Sequence, residues 1–403
     1  MVPNGWEVKK LNELCEINPK KPSKPSDELV SFISMSQISE EGQIISTEPK
    51  TYDEVSKGFT SFKDKDVLVA KITPCFENGK GALAHSLLNG IGFGSTEFHV
   101  LRAKKITDPK FIYYLTRTSA FRAKGTMNMQ GSAGHRRVTT DFIKVYKINT
   151  PPLPEQQKIA KILSTWDTAI STTERLIENS SQQKKALMQQ LLTGKKRLLD
   201  ESGKRFEGEW TRQPISFVAD VITGNTPSTK TQEYYGGDKL FVSPSDLGIS
   251  KYILETTKRL TDLGFDQTRK VPKGSSLFTC IGSTIGKLGI AGEELATNQQ
   301  INSVCAKGDN CGEFIYYQLL FHAEQIKGSA ATQAVPIINK TNFESQLIFS
   351  PPSHEEQQKI AAVLTNADKE IELLEQQLAD LQQEKKALMQ VLLTGKKRVV
   401  IDG

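Results

Sequence analysis

The segment with the strongest outward look of chemistry is Gly282-Ser283-Thr284-Ile285-Gly286-Lys287, which resembles a phosphate-binding loop. Such a loop cradles phosphates with backbone amides between two glycines and follows its lysine with a hydroxyl for magnesium. Here the second glycine comes one residue too soon, and Leu288 follows Lys287. Gly90-Ile91-Gly92-Phe93-Gly94 is not followed by a helix pattern that could sit under a cofactor phosphate, so it reads as a glycine-rich turn. Asn149-Thr150-Pro151-Pro152-Leu153 lacks the Asn/Asp-Pro-Pro-aromatic order of an amino-methyltransferase. His85, His99, His135, His322 and His354 never fall at metal-ligand spacing, and no Ser or Cys has a nucleophile-elbow context. The chain is therefore expected to catalyse nothing itself and to hold neither metal nor cofactor.

A second kind of chemistry fits better. Between short apolar runs lie loops rich in groups that bond to base edges and phosphates. Residues 1–150 offer Lys71, Asn78, Lys80, Asn128, Gln130, His135, Arg136 and Arg137. Residues 199–350 offer Asn225, Thr226, Ser245, Ser283, Thr284, Lys287, Asn298 and Gln299. Arg reads guanine and Asn or Gln reads adenine in the major groove, while lysines and glycine-turn amides position phosphates. Ordinary turn chemistry explains many of these residues singly; together they lean toward DNA.

Composition restrains that reading. With 37% hydrophobic and 24% charged residues the chain is an ordinary folded protein, so disorder is not expected. The net charge of +6 is uneven: residues 1–150 carry +6 and 151–200 carry +3, whereas 201–350 carry −1 and 351–403 carry −2. Charge alone thus supports phosphate binding only in the first half. Five cysteines without C-x-x-C spacing fit free thiols in a reducing cytoplasm, and no run of 18 apolar residues suggests a membrane span.

The elements that must position these loops announce themselves by duplication. Residues 155–198 recur at 356–399, from Glu-Gln-Gln-Lys-Ile-Ala to Leu-Leu-Thr-Gly-Lys-Lys-Arg. In the second copy Ile360, Leu364, Ala367, Ile371, Leu374, Leu378, Leu381, Lys385, Leu388 and Leu392 alternate in steps of four and three. A mean period of 3.5 marks a helix that keeps one stripe against a partner helix. The first copy has Ile159, Leu163, Trp166, Ile170, Thr173, Ile177, Ser180, Lys184, Leu187 and Leu191, with a more polar middle. Ser353 with Glu356 suggests a capping box, and Pro154 a first helical position. Gly194 and Gly395 suit left-handed termini, and the Lys-Lys-Arg beyond them complements the negative helix end. Each helix is a rod of about 57 Å, marginal alone. Its expected partner is its own duplicate, antiparallel because a globular segment precedes each copy; leaving part of the stripe for helices of another protein is the alternative.

The globular segments repeat more faintly. Trp6 answers Trp210, Phe111-Ile112-Tyr113-Tyr114 answers Phe314-Ile315-Tyr316-Tyr317, Gly131-Ser132-Ala133 answers Gly328-Ser329-Ala330, and Pro151-Pro152 answers Pro351-Pro352. Strands are expected at 67–70, 98–101, 240–242 and 276–280, and helices at 108–124 and 309–327. The expected architecture is α+β: two small α/β recognition domains (1–150 and 199–350) separated by two long antiparallel coiled-coil helices (151–198 and 351–403), in pseudo-two-fold, circular organisation. The two ends of the chain should then lie close together and the fold be circularly permutable.

Two variable segments alternating with two helices, opened by Pro-Pro-x-x-Glu-Gln-Gln-Lys-Ile or near it and closed by Leu-Leu-Thr-Gly-Lys-Lys-Arg, resemble the specificity subunit of type I restriction-modification systems. Residues 94–101 and 224–228 also look like family target-recognition stretches, and an extra residue at Ser353-His354-Glu355 departs from the pattern. The resemblance implies a non-catalytic reader of double-stranded DNA with a bipartite target. Two modification subunits bearing S-adenosylmethionine would dock on the helices, and restriction subunits using ATP and magnesium would join through them. The reading from another class is a coiled-coil adaptor without DNA preference.

Overall fold

The computed structural model describes residues 2–132, 134–330 and 335–401. Its chain divides into two compact units, one of residues 1–174 with 376–403, the other of 175–375. The two long helices, Leu153–Leu191 and His354–Leu392, each give their first part to one unit and their last part to the other.

In the first unit, Cys15–Ile17, Phe98–Ala103, Val67–Ala70 and Gly81–Leu83 form an antiparallel sheet in that order. Val67–Ala70 is buried at all four positions because it is covered on both faces. Successive side chains alternate between faces, so Val67 and Val69 join one core with Phe111 and Ile112, while Leu68 joins another with Phe62 and Phe98. A second sheet runs Glu48–Thr51, Leu29–Ile33, Ile91–Gly94, Thr60–Lys63, its central pair parallel. Ile91–Gly94 is thus a buried strand, not the turn its glycines suggest. The glycines serve close approach: a Cβ on Gly92 would stand 2.1 Å from the Phe62 ring and one on Gly94 2.2 Å from the Ile33 carbonyl.

The second unit repeats this plan with unlike residues. One sheet is ordered Ala219–Thr223, Ile301–Ala306, Ser276–Thr279, Leu288–Ala291, Tyr252–Ile253, the last an addition. The other is Lys258–Leu260, Tyr235–Val242, Leu295–Thr297, Lys270–Val271, again with a parallel central pair. In each unit an antiparallel ribbon, Glu7–Lys10 with Lys147–Thr150 or Thr211–Pro214 with Leu347–Ser350, leads into a long helix. The helical stretches at 108–124 and 309–327 are each two helices. Thr118, for example, ends one turn and caps Ser119–Met127 by accepting from the Phe121 amide. The echo of Gly131-Ser132 in Gly328-Ser329 is not structural: the former follows the strand Met129–Gln130, the latter closes the helix Ala323–Gly328, and Ala133 lies outside the described residues.

The helices pair antiparallel within each unit. Asp167 meets Lys385 and Glu155 meets Arg398 in the first; Lys184 meets Asp368 and Arg197 meets Glu356 in the second. Seam residues Ile159, Leu163, Ile170, Leu191, Ile360, Leu364 and Leu392 are buried. Trp166, Ile177, Leu187, Ile371, Leu374, Leu378, Leu381 and Leu388 are half-buried. Both helices end as expected, with Gly194 at φ 68° and Gly395 at φ 72°. A Cβ there would also stand 3.1 Å from Trp210 and 3.2 Å from Trp6. The starts differ. Helix one begins at Leu153, so Pro154 is its second residue. Ser353 caps the Glu356 amide at 3.3 Å, but the Glu356 carboxylate turns to Arg197, so no reciprocal box forms. The ends of the chain do lie together: Arg398 donates to the Asn4 carbonyl at 2.5 Å.

Candidate nucleic-acid interface

The frame that positions the loops is a pair of ionic clamps, each on a buried carboxylate, at equivalent places. Glu155 accepts two hydrogen bonds from Arg398, at 2.6 and 2.8 Å, and one from the Trp6 indole at 3.0 Å. Glu356 accepts from Arg197 at 2.6 and 2.7 Å. The arginine that closes one helix thus grips the first turn of the other, rather than merely facing its own carbonyl end. The adjacent glutamines complete the joint: Gln156 bonds the Asp108 amide and the Pro151 carbonyl, and Gln357 the Cys311 amide and the Pro351 carbonyl. These roles were missed by sequence reasoning, although the exact repetition of Glu-Gln and Arg at both sites was the available signal. Further along, Tyr114 and Lys385 converge on Asp167, and Tyr317 and Lys184 on Asp368.

In the first unit the structure joins most of the expected loop residues into one polar surface. The hairpin Met129–Gln130 with Arg137–Val138 is stitched to Lys71-Ile72-Thr73: the Val138 amide reaches the Lys71 carbonyl at 2.9 Å and the Thr73 amide the Arg136 carbonyl at 3.0 Å. Arg137 grips Glu97 with three hydrogen bonds of 2.9–3.1 Å, and Arg136 lies 3.8 Å from Glu77. Neither is a free cation, but both are exposed, and solvent screening keeps such pairs weak and exchangeable. Lys71 donates to the Thr96 carbonyl at 2.8 Å, and burial lowers its pKa. Lys80 donates to the Met35 carbonyl at 3.2 Å and Asn78 to Glu40 at 2.8 Å, which holds their loop to that of residues 34–43. Gln130 and His135 are exposed beside Arg137, whereas Asn128 bonds back to Lys124 of its own helix and is held apart from them. Beneath the hairpin, His99 bonds the Val138 carbonyl through Nε2 at 2.9 Å. Burial pushes its pKa down to about 4, so the ring is neutral and that nitrogen donates.

The second unit gathers its residues in smaller groups. Thr226 donates to Gln299 at 2.6 Å. Asn225 spends its amide internally, donating to the Gln267 carbonyl and accepting from the Arg269 amide, and Asn298 does the same with Gln300. Ser245 shares a hydrogen bond with Ser243 on the loop after Tyr235–Val242, and the Gly248 of that loop lies against the Lys287 side chain. Ser283 and Thr284 lie in a turn beside the Ile281–Ile337 bridge, whose far side runs into residues outside those described. Asn225 and Asn298 therefore shape loops, while Thr226, Ser245, Lys287 and Gln299 present their polar groups outward. All five cysteines are free, and burial raises the pKa of Cys15 and Cys280 to about 12, which keeps these two as unreactive thiols. No helix among the described residues is long and apolar enough to cross a membrane.

Such surfaces supply hydrogen-bond donors and exchangeable cations on a double-sheet base. Comparison with known proteins agrees with the duplication. Residues 3–179 and 207–383 each match the type I restriction modification DNA specificity domain. Over 160 residues the chain is 41% identical to the specificity subunit of the type I restriction enzyme EcoAI of Escherichia coli, and over 181 residues 36% identical to that of EcoEI. Those matches cover 39% and 44% of this chain but only 27% and 30% of the relatives. The MjaVIII specificity subunit of Methanocaldococcus jannaschii matches over 99% of this chain and 94% of its own length at 27% identity. Among solved structures, the type I restriction-modification S subunit from M. genitalium superposes with a TM-score of 0.62 at 14% identity, and the HsdS subunit from Thermoanaerobacter tengcongensis with 0.52 at 20%, each over 98% of both chains. With one match in each half, together spanning most of its length, the chain belongs to the type I restriction-modification DNA specificity domain family.

Proposed function

We propose that this chain is the sequence-specific DNA-binding subunit of a type I restriction-modification complex. Each unit reads one half of a bipartite, asymmetric duplex target, and the antiparallel helices set the gap between the halves and dock two modification subunits. Those subunits bring S-adenosylmethionine for adenine methylation, and restriction subunits bring ATP and magnesium; this chain holds neither and catalyses nothing. The observation that carries the reading is a repeated frame with unlike loops. Glu155–Arg398 and Glu356–Arg197, or Asp167–Lys385 and Asp368–Lys184, are the same joints made twice. The loops they carry differ in most of their side chains, as two readers of different half-sites require.

Exchanging residues 1–150 for the corresponding segment of a relative tests this directly. With the modification subunits present, selection from random duplexes should return a target changed in one half only. Loss of both halves contradicts it, and absence of any sequence preference would leave a coiled-coil adaptor.

A further inference from the structure

The joints shared by the two units are not the only ties between loop and helix. In the second unit Lys251 follows the exposed loop tip at Ile249, yet it is only 8% exposed itself. Its ammonium donates to the Tyr317 hydroxyl at 2.9 Å and to the Thr365 hydroxyl, on the second long helix, at 2.7 Å. Glu313 lies 3.6 Å away and supplies the counter-charge. Two of its three donors thus meet hydroxyl acceptors, and the carboxylate faces the charge at ion-pair distance. The rings of Tyr252, Tyr316 and Tyr317 surround the cation with centroids 5.0, 5.7 and 4.7 Å away, where their faces attract it. Through Tyr317 the cluster continues to Asp368 and its partner Lys184.

The same loop is closed at its base by Asp246, which accepts from the backbone and hydroxyl of both Ser243 and Thr257. Ser245, next to the first anchor, and Ile249, between the two, are exposed, and Gly248 rests on Lys287. The tie is particular to this unit. In the first, Tyr114, Asp167, Lys385 and Ser164 reproduce the helix side of the cluster, but Lys110 stands where Glu313 does. There the corresponding loop is held instead by Arg117, which donates to the Glu40 and Gly79 carbonyls. Lys251 therefore belongs to the variable cargo, not to the repeated frame.

We propose that Lys251 is a positioning residue for sequence reading by the second unit: it fixes the loop of residues 243–257 to the second long helix, so that losing this tie relaxes base preference at one half-site alone. The inference rests on the proposed DNA-reading function. Its test uses the full chain assembled with its modification subunits and a pool of random duplexes, comparing the unaltered chain with Lys251→Met. Base preference at one half-site should fall about tenfold, the discrimination that one well-placed side-chain pair supplies. The other half-site, the gap and the salt dependence of binding, which counts phosphate contacts, should not change. The Thr365→Val variant should fall in the same direction, and the double variant should be no worse than Lys251→Met. Should Lys251→Met fail to assemble, Thr365→Val is decided by the same criteria. Retention of both half-sites within about twofold, or equal loss of both, overturns the proposal. If the unaltered complex selects no bipartite target at all, the functional reading itself fails, a result distinct from either.

Discussion

Glu356 has no exposed surface, and its carboxylate has Arg197 as its ionic partner. Truncating the partner of a buried charge leaves that charge uncompensated, whereas a lysine in its place cannot reproduce the two-pronged grip. Arg197→Met should therefore destabilise the second unit by about 3 kcal/mol in chemical denaturation, with Arg197→Lys recovering only part. His99 provides a second residue-level prediction. Its folded pKa of about 4 lies below the ordinary 6.5, so the unfolded chain binds the extra proton first as pH falls. The stability it contributes is complete above about pH 6.5 and is lost on acidification toward pH 4; between about pH 7 and 5 the loss should be about 2 kcal/mol. His99→Gln should flatten that dependence in urea titrations at the two pH values. Unchanged pH dependence in the variant would remove His99 as its cause.

At the scale of elements, the long helices were legible because their seam is written in one-dimensional periodicity and each stop is a glycine in the left-handed region. Ile159, Leu163, Ile360 and Leu364 are buried where the 3.5-residue period puts them. The strands at 67–70 and 98–101 were legible as apolar runs. What local sequence could not reveal depends on residues far away in the chain. Ile91–Gly94 is a strand because it pairs with Leu29–Ile33 and Thr60–Lys63, and Phe62 fills the space that a side chain on Gly92 would take. Glu356 abandoned its capping box because Arg197 stood opposite. Among the loop residues, type and spacing singled out polar segments, but not which of them meet, nor that Asn225 and Asn298 spend their amides on their own loops or that Arg137 arrives already paired with Glu97. An Arg137→Gln variant should accordingly alter preference in one half-site with little change in melting temperature, whereas Asn225→Ala should lower stability as well. Thermal melts read beside duplex selections would separate the two.

At the scale of the molecule, duplication makes the chain circular in plan. Arg398 meets Asn4 in one unit as Arg197 meets Gly208 in the other, so the ends of the chain occupy the place of an internal linker. Joining the ends and opening the chain within residues 199–205 should preserve both half-site preferences. The central claim is that reading and spacing are separate, with loops choosing bases and the antiparallel helices choosing distance. Inserting seven residues after Glu174 and seven after Glu375 tests it most directly, since whole heptads preserve the seam. That lengthening adds about 10 Å, or about three base pairs of duplex. Selection from random duplexes should then return the same two half-sites with a wider gap; altered half-sites at an unchanged gap would contradict the account.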